Sequence, residues 1–135
     1  MTRYIAALFL ASLLHADVLV VATNPKFHIH HLTPALIRAL YLDKRHTLHG
    51  YRVMLLNLPF NHPLRKRFEK KVLHKSTQEL EHYWLIAHYR GHRPPKVVRS
   101  QKAAALYIKK ITYALGYMKK SVALRYGLKI VYEWK

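Results

Sequence analysis

Carboxylates are the residues most often used for general acid–base catalysis, and this chain has few of them. The sequence contains six acidic residues, and no two of them form an evident pair. They are Asp17, Asp43, Glu69, Glu79, Glu81 and Glu133. The chain also has no cysteine, no serine-containing elbow and no glycine-rich phosphate loop. We therefore predict a protein that is not an enzyme and that uses no cofactor.

Histidines are more numerous, and the segment His28-Ile29-His30-His31 has the residue types of a metal site. In an extended segment, His28 and His30 would share one face. However, cysteine is absent, the acids are distant in the sequence, and the positive charge of the chain repels a cation. We favour a solvated loop with incidental metal affinity and predict no dedicated metal site.

Positive charge is the main chemical feature of the chain. Its 135 residues include 24 Lys and Arg against six acids, a formal net charge of +18. Such a field attracts phosphate, acidic proteins, anionic lipid and nucleic acid, although a bias towards basic exported proteins explains the charge about equally well. Basic pairs are interleaved with tyrosines, as in phosphate-tracking surfaces. Those tyrosines are better explained as core residues, so we do not expect nucleic acid as a partner.

The first 16 residues have the pattern of a cleaved signal peptide. Arg3 is followed by an apolar run over 4–14, and His15-Ala16 precede Asp17. The run is shorter than the roughly 20 residues that span a bilayer, and it matches the apolar part of an export signal. An uncleaved anchor or a buried first helix is the alternative. We predict a periplasmic domain over residues 17–135, with no membrane span after signal cleavage.

The rest of the chain contains several runs that predict strands. The continuous apolar run 18–22 predicts a strand covered on both faces, as in the interior of an α/β sheet. Residues 51–58 and 128–133 predict two more strands, and 97–98 a short one. Residues 114–118 form a brief apolar segment.

Helix starts are marked by residues that cap the first turn. Thr33-Pro34 has a good N-cap residue followed by proline at the first helical position. Ser76-Thr77-Gln78-Glu79 is a capping box, and Ser100 is a third N-cap. Another helix is predicted after Pro63, and Gly91 is predicted to end the helix that the capping box starts. One α/β domain follows from this order.

Four stretches are similar to motifs of one family, and together they cover nearly all of residues 18–133. They are Leu32 to Lys44, Asn57 to Phe68, Tyr83-Trp84 with Tyr89 to Pro95, and Ala114 to Tyr117. They resemble L-T-x-x-Q-L-x-x-I-F-x-G-K, N-x-P-x-x-S-P-x-R-x-x-F, Y-W…F-x-G-x-x-x-P and G-A-I-G-Y in small, single-lobe relatives of the phosphate-binding proteins of ABC transporters. The resemblance implies one lobe of a type II periplasmic-binding-protein-like fold, a twisted mixed sheet flanked by helices. Asp43 stands where the family has glycine.

The resemblance also implies an anion site. In the similar transporter proteins, phosphate lies at the start of a helix, where free backbone N–H groups and the positive helix end favour an anion and an arginine adds a charge-assisted hydrogen bond. The matching turn here is 61–65, and Pro63 within it lacks an N–H. A protonated His62 would replace some of the lost binding. The implied anion-binding residues are Arg65 first, then Asn61 and His62, with Leu64 and Thr23.

Two functions remain open from the sequence. The first is an exported binding protein that recognises phosphate, a similar oxyanion or an acidic partner. The second is a basic interaction protein that docks on acidic envelope proteins, an anionic membrane surface or other polyanions and has no small ligand. The helix after Pro63 supplies a basic surface for either function, formed by Lys66, Arg67, Lys70 and Lys71.

Overall fold

Strands and helices alternate along residues 18–134, which are the residues that the computed structural model describes. The helices are α1 (Pro34–Tyr41), α2 (Pro63–Lys71), α3 (Thr77–Tyr89), α4 (Gln101–Lys110) and α5 (Lys120–Arg125). The strands are β1 (Leu19–Thr23), β2 (Thr47–Leu48), β3 (Tyr51–Arg52), β4 (Met54–Asn57), β5 (Lys96–Val97), β6 (Ala114–Lys119) and β7 (Lys129–Trp134). The predicted signal peptide at residues 1–16 lies outside the described residues.

Five of the strands form one mixed sheet in the order β5-β4-β6-β1-β7. Strand β4 runs parallel to β5 and β6, whereas β1 runs antiparallel to its neighbours β6 and β7. The register pairs Leu19 with Lys119 and Thr23 with Leu115, and Leu115 also pairs with Leu55 of β4. The carboxyl ends of β4 and β6 therefore lie at the same edge of the sheet as the amino end of β1.

Helices pack on both faces of this sheet. On one face, Ile108 of α4 lies so close to Gly116 that an added Cβ would come within 3.1 Å of the isoleucine side chain. Tyr117 points to the opposite face, because successive strand residues alternate. There it stacks on Phe68 of α2 with ring centroids 4.0 Å apart, and Tyr41 of α1 packs edge-on against the same ring. Helices α4 and α2 thus lie on opposite faces.

Strand β1 is the most deeply buried element near the centre of the sheet. All five of its residues are fully buried, which confirms the strand predicted from the apolar run. Burial of a Val or Leu side chain contributes about 1.5–3 kcal/mol, so this strand stabilises both layers of helices. The predicted α/β class with a mixed sheet between helices is confirmed.

The helix starts form as the capping residues predict. Thr33, Ser76 and Ser100 each accept a hydrogen bond on the side-chain oxygen from the amide three residues ahead, at 3.2, 3.2 and 3.1 Å. Glu79 completes the capping box by accepting from the Ser76 amide at 3.2 Å. These bonds satisfy amides that have no partner within the helix.

Two helix ends share one geometry although their residues differ. Helix α3 ends in a Schellman motif at Gly91, which has φ of +82°. Helix α1 ends in the same way at Asp43, with φ of +58°. Aspartate tolerates this left-handed conformation better than most residues. It therefore occupies the position where the similar family has glycine.

The strand predicted over 51–58 is divided in the structure. Its first two residues form β3, which pairs with β2 in a hairpin whose turn residues His49 and Gly50 have φ of +50° and +82°. The Val53 amide extends this ladder by donating to the His46 carbonyl at 3.0 Å, and the chain then enters the main sheet as β4. Helix α5 was not predicted. Within residues 18–134, the helices are too short or too polar to cross a bilayer.

Candidate functional site

The turn that joins β4 to α2 brings together most of the predicted anion-binding residues. We call residues 58–65 the α2 turn. The amide of His62 donates to the Pro59 carbonyl at 2.9 Å, which closes the turn, and α2 then begins at Pro63. Asn61 is exposed on the turn, whereas Leu64 is buried beneath it. The structure thus places Asn61, His62, Leu64 and Arg65 side by side at one helix start.

His62 is the N-cap of α2. Its Nδ1 accepts a hydrogen bond from the Leu64 amide at 3.1 Å. Burial lowers the pKa of His62 from its ordinary value, and the nearby Lys119 ammonium lowers this pKa further. The imidazole is therefore neutral at pH 7, and because Nδ1 accepts, its proton is on Nε2.

This state of His62 limits what the residue offers a ligand. The residue does not supply positive charge near neutral pH, and the donor that it leaves free is a neutral N–H at Nε2. The Leu64 amide is occupied by the cap, so it is not open to an anion. Serine, the residue of the similar family, would cap through an oxygen; the imidazole performs the same task with a ring nitrogen.

Arg65 lies in the first turn of α2 and is held from two sides. Its Nε donates to Glu69 Oε2 at 3.1 Å, and its Nη1 donates to the Leu58 carbonyl at 3.0 Å. The guanidinium carbon lies 5.8 Å from the centre of the Phe60 ring. These two bonds use two of five guanidinium N–H groups, so three remain for a ligand. The side chain is 18% exposed, and its orientation is fixed.

Glu69 is the partner that sequence reasoning missed. Its side chain is only 9% exposed and faces the guanidinium one helical turn away. The i, i+4 spacing from Arg65 was the available signal. A carboxylate this shielded requires its partner, because an uncompensated buried charge is strongly destabilising. Glu69 therefore orients Arg65 and also reduces the positive potential that an incoming anion meets.

The aromatic core supports the α2 turn from below. The Tyr117 hydroxyl donates to Asn57 Oδ1 and accepts from the Leu58 amide at 3.3 Å. Burial raises the pKa of Tyr117 well above its ordinary value, so the hydroxyl remains a donor at any physiological pH. Asn57 Oδ1 also accepts from the Leu58 amide at 3.0 Å. Leu58, whose carbonyl holds Arg65, is thus anchored to two strands.

A second cation reaches this site from a different strand. Lys119 ends β6, beside the end of β4, and is close enough to His62 to lower its pKa. No sequence pattern connects Lys119 with the α2 turn, because only the parallel pairing of β4 and β6 brings them together. The α2 turn therefore combines a fixed guanidinium, a neutral imidazole and a helix start, with the Lys119 ammonium adding positive potential, a combination that favours a small anion.

A cavity of about 260 Å³ adjoins the ion pair on the side of α3. Arg65 and Glu69 line it together with Trp84, Pro94 and Pro95. Phe60 of the α2 turn lines the same cavity, and the carboxylate and the guanidinium border the same space. An anion approaching through this cavity would meet Glu69, so the α2 turn itself is the more favourable approach to Arg65.

Thr23 does not belong to this site, which corrects the fifth predicted residue. It is fully buried, and its hydroxyl donates to the Ala114 carbonyl at 2.8 Å. Because β1 is antiparallel to β6, Thr23 lies at the opposite edge of the sheet from Asn57 and Lys119. The prediction came from the family resemblance, which did not include the direction of β1 in this sheet.

The predicted basic surface is present on α2. Lys66, Lys70 and Lys71 are exposed, and Arg67 is half-buried. No ion pair involves these four side chains among residues 18–134. Their charge adds to the long-range attraction of the helix for anions without fixing the position of a ligand.

The chain is similar in fold to solved structures that are named as phosphate transport proteins. The chain superposes on an ABC-type phosphate transport receptor from Vibrio cholerae with a TM-score of 0.67 and 13% identity, over 84% of this chain and 44% of the receptor. The match to PstS from Borrelia burgdorferi has a TM-score of 0.66 and 15% identity, over 85% of this chain and 46% of PstS. A protein from Clostridium perfringens, named as a phosphate ABC transporter substrate-binding protein with bound phosphate, matches with a TM-score of 0.68 and 13% identity, over 84% of this chain and 43% of that protein.

These likenesses define the class of fold. The described chain has a periplasmic-binding-protein-like α/β fold, and the family resemblance seen in the sequence is confirmed at the level of the fold. The chain spans less than half the length of each of these structures. No protein-family model and no curated protein matches the sequence.

Proposed function

We propose that this protein is an exported, non-catalytic binding protein that holds phosphate or a similar oxyanion at the α2 turn. One observation carries the proposal: Arg65 is fixed at a helix start with three N–H groups unused. An oxyanion is the ligand that such a set of donors fits. Structures with the same fold bear the names of phosphate transport receptors, which supports this ligand class.

Export is part of the proposal and rests on the signal-peptide pattern of residues 1–16. A periplasmic location follows from that pattern. Acid–base catalysis commonly uses a carboxylate that is free to exchange a proton. The carboxylate beside the α2 turn, Glu69, is bound to Arg65 instead, which supports a binding role.

Affinity should be modest, because the donors of the proposed site come from one turn and its neighbouring strand and would meet an ion from one side. The neighbours are more than twice as long as the part that this chain matches. Glu69 also competes for the guanidinium. Two features thus reduce affinity relative to an enclosed site, and calorimetry at millimolar phosphate is the appropriate measurement.

The test is titration of phosphate into the purified protein at low and moderate salt. Arg65→Ala removes the main donor but leaves Glu69 buried without a partner, so the double variant Arg65→Ala with Glu69→Gln is compared with it. Loss of a charge-assisted hydrogen bond costs about 1.5–3 kcal/mol, so the double variant should bind at least about tenfold more weakly. Glu69→Gln alone should bind phosphate more tightly than the unmodified protein.

Lys70→Ala is the matched control, since it removes one exposed charge from the last turn of the same helix. We expect this variant to weaken binding by less than about twofold. Absence of phosphate binding to the unmodified protein would exclude the small-anion function. Equal weakening by the control and the double variant would show that the general field, and not the α2 turn, attracts phosphate.

A further inference from the structure

Three adjoining cavities form a continuous depression on the side of the sheet where α1, α2 and α3 lie. Their volumes are about 640, 550 and 510 Å³. The first and second share Lys75 and Glu79, and the second and third share His92. We call this depression the basic furrow. It extends from α2, through the middle of α3, to the segment that leads into β5.

The central cavity carries three exposed or half-exposed cations: Lys44 after α1, Lys75 before α3 and Arg90 at the end of α3. Among residues 18–134, no ion pair involves any of the three. Cations continue in both directions, with Lys66 and Lys70 at one end.

The other end adds three more cations, Arg52, Arg93 and Lys96. Cations thus line the whole length of the furrow. A ligand with a single charge would contact only a small part of this surface, whereas an extended polyanion would contact most of it.

The carboxylates of the furrow are already engaged within the protein. Glu69 pairs with Arg65, and Glu79 belongs to the capping box of α3. Asp43 binds the rings of His46 and His92, at 2.8 and 3.2 Å, and accepts from the Arg93 amide at 3.1 Å. None of these contacts neutralises Lys44, Lys75 or Arg90, so the positive charge of the central cavity faces solvent.

Apolar residues along the same helix point to a protein as the partner. Ile86 lines the central cavity and is 43% exposed. Leu85 and Tyr89 flank it on α3 and are 61% and 84% exposed. Exposed apolar and aromatic residues next to charge are typical of the buried centre of a protein interface.

Two other polyanions fit the furrow less well. Its concave shape keeps the cations of the central cavity away from a flat bilayer. Successive nucleobases stack on a row of aromatic rings, whereas the tyrosine that lines the central cavity, Tyr83, is half-buried with its hydroxyl bonded to the Leu42 carbonyl, and Tyr89 offers a single exposed ring beside it.

We propose that the basic furrow binds an acidic segment of a partner protein. Carboxylates of the segment contact Lys44, Lys75 and Arg90, and apolar side chains of the segment cover Ile86 and Tyr89. The furrow adjoins the α2 turn at Glu69, but no residue of the α2 turn lines the three cavities. The protein therefore has one site for a small anion and a second surface for a protein.

The experiment uses two fluorescently labelled synthetic peptides and measures their anisotropy. The first is rich in Glu and includes several Leu; in the second, each Leu is replaced by Ser. The furrow variant combines Lys44→Ala, Lys75→Ala and Arg90→Ala. Its matched control combines Lys102→Ala, Lys109→Ala and Lys110→Ala, which removes the same charge from exposed positions of α4 on the opposite face.

We expect the furrow variant to weaken binding of the Leu-containing peptide at least about tenfold and the α4 control less than about threefold. The Leu-containing peptide should bind more tightly than the Ser-containing one, and Ile86→Ser with Tyr89→Ser should abolish this preference. Leu124→Ser, an exposed residue of α5, is the control for that change. Tyr117→Phe, which alters the support of the α2 turn and does not line the furrow, should leave peptide binding unchanged, so failure of this proposal is distinguishable from failure of phosphate binding.

Three results would overturn the proposal. Equal weakening by the furrow and α4 variants would assign binding to net charge alone. Equal binding of the two peptides would remove the argument for a protein partner. Displacement of the labelled peptide by phosphatidylglycerol vesicles or a single-stranded oligonucleotide more effectively than by unlabelled peptide, at equal charge concentration, would assign the furrow to a different polyanion.

Discussion

The α2 turn and the basic furrow both carry positive charge, but they hold it in opposite ways. In the α2 turn, Arg65 is 18% exposed, paired with a buried carboxylate and fixed by a backbone carbonyl. In the furrow, Lys44 and Arg90 are exposed and have no ion-pair partner among residues 18–134. The first arrangement fixes the position of a donor, and the second provides a field and flexible side chains.

This difference shows why net charge alone does not locate a site. Exposed charges are screened by salt over about 10 Å at 0.1 M ionic strength, so contacts in the furrow should weaken steeply as salt is added. A fixed, partly buried guanidinium is screened less. The salt dependence of binding therefore separates the two regions even where both ligands are anions.

The largest expected effect is on stability, and it follows from removing one partner of the ion pair between Arg65 and Glu69. Arg65→Ala leaves Glu69 charged, shielded and without its partner, so we expect the free energy of unfolding to fall by about 3 kcal/mol. Lys75→Ala in the furrow removes an unpaired charge and should change it by less than about 0.5 kcal/mol. Urea denaturation of both variants measures the difference.

A double variant shows whether the charge or the packing is responsible. Arg65→Met with Glu69→Leu replaces both partners with apolar side chains of similar size, and such replacements are often neutral or stabilising. We expect it to recover most of the stability that Arg65→Ala loses. If the double variant is as unstable as the single one, the lost packing of the arginine side chain is the cause.

A smaller effect is expected at the support of the α2 turn. Tyr117→Phe keeps the ring that stacks on Phe68 but removes the hydroxyl that bonds to Asn57 and the Leu58 amide. We expect a loss of about 1–2 kcal/mol in the free energy of unfolding and weaker phosphate binding, because the Leu58 carbonyl positions Arg65. Peptide binding in the furrow should not change. Weakening of both ligands by this variant would show that the two regions are coupled.

The smallest effect is a dependence of stability on pH. Burial and Lys119 lower the pKa of His62 below its ordinary value of 6.5 in the folded protein. As pH falls through 6.5 the unfolded chain takes up a proton before the folded protein does, so His62 contributes a loss of stability that is complete below its folded pKa. Asparagine caps a helix without titrating. His62→Asn should therefore lose less stability than the unmodified protein between about pH 7.5 and pH 5.

Urea denaturation at several pH values checks this prediction. The quantity compared is the difference between the two proteins, because the other histidines titrate in both. Parallel pH profiles would mean that His62 is not the neutral cap of α2. Such a result would also remove the neutral N–H donor from the proposed phosphate site.

Local features of the fold were predictable because they depend on neighbouring residues. The caps at Thr33, Ser76 and Ser100 need only the next few positions, and the apolar run of β1 indicates burial on both faces. The helix start with Arg65 followed from a family resemblance. In the same helix, the i, i+4 spacing between Arg65 and Glu69 is typical of an ion pair, but the prediction did not include this pair.

Features that depend on topology were not predictable. The sequence contains no signal for the direction of β1, so Thr23 was expected at an edge of the sheet where it does not lie. Lys119 joins the α2 turn through the parallel pairing of β4 and β6. The tyrosines assigned to the core divide in the structure, since Tyr117 is buried whereas Tyr89 is 84% exposed. Helical spacing alone did not separate them.

The reversed central strand also constrains the order of folding. Strand β1 pairs with β6 and β7, from which most of the described sequence separates it, and these are its two ladders in the sheet. During synthesis, β1 has emerged long before either partner exists, and its apolar face then has nothing to pair with. Contacts of such long sequence separation form late and slowly. Until β6 and β7 are available, the unpaired edges of β1 are exposed, and a chain in this state is prone to proteolysis and aggregation.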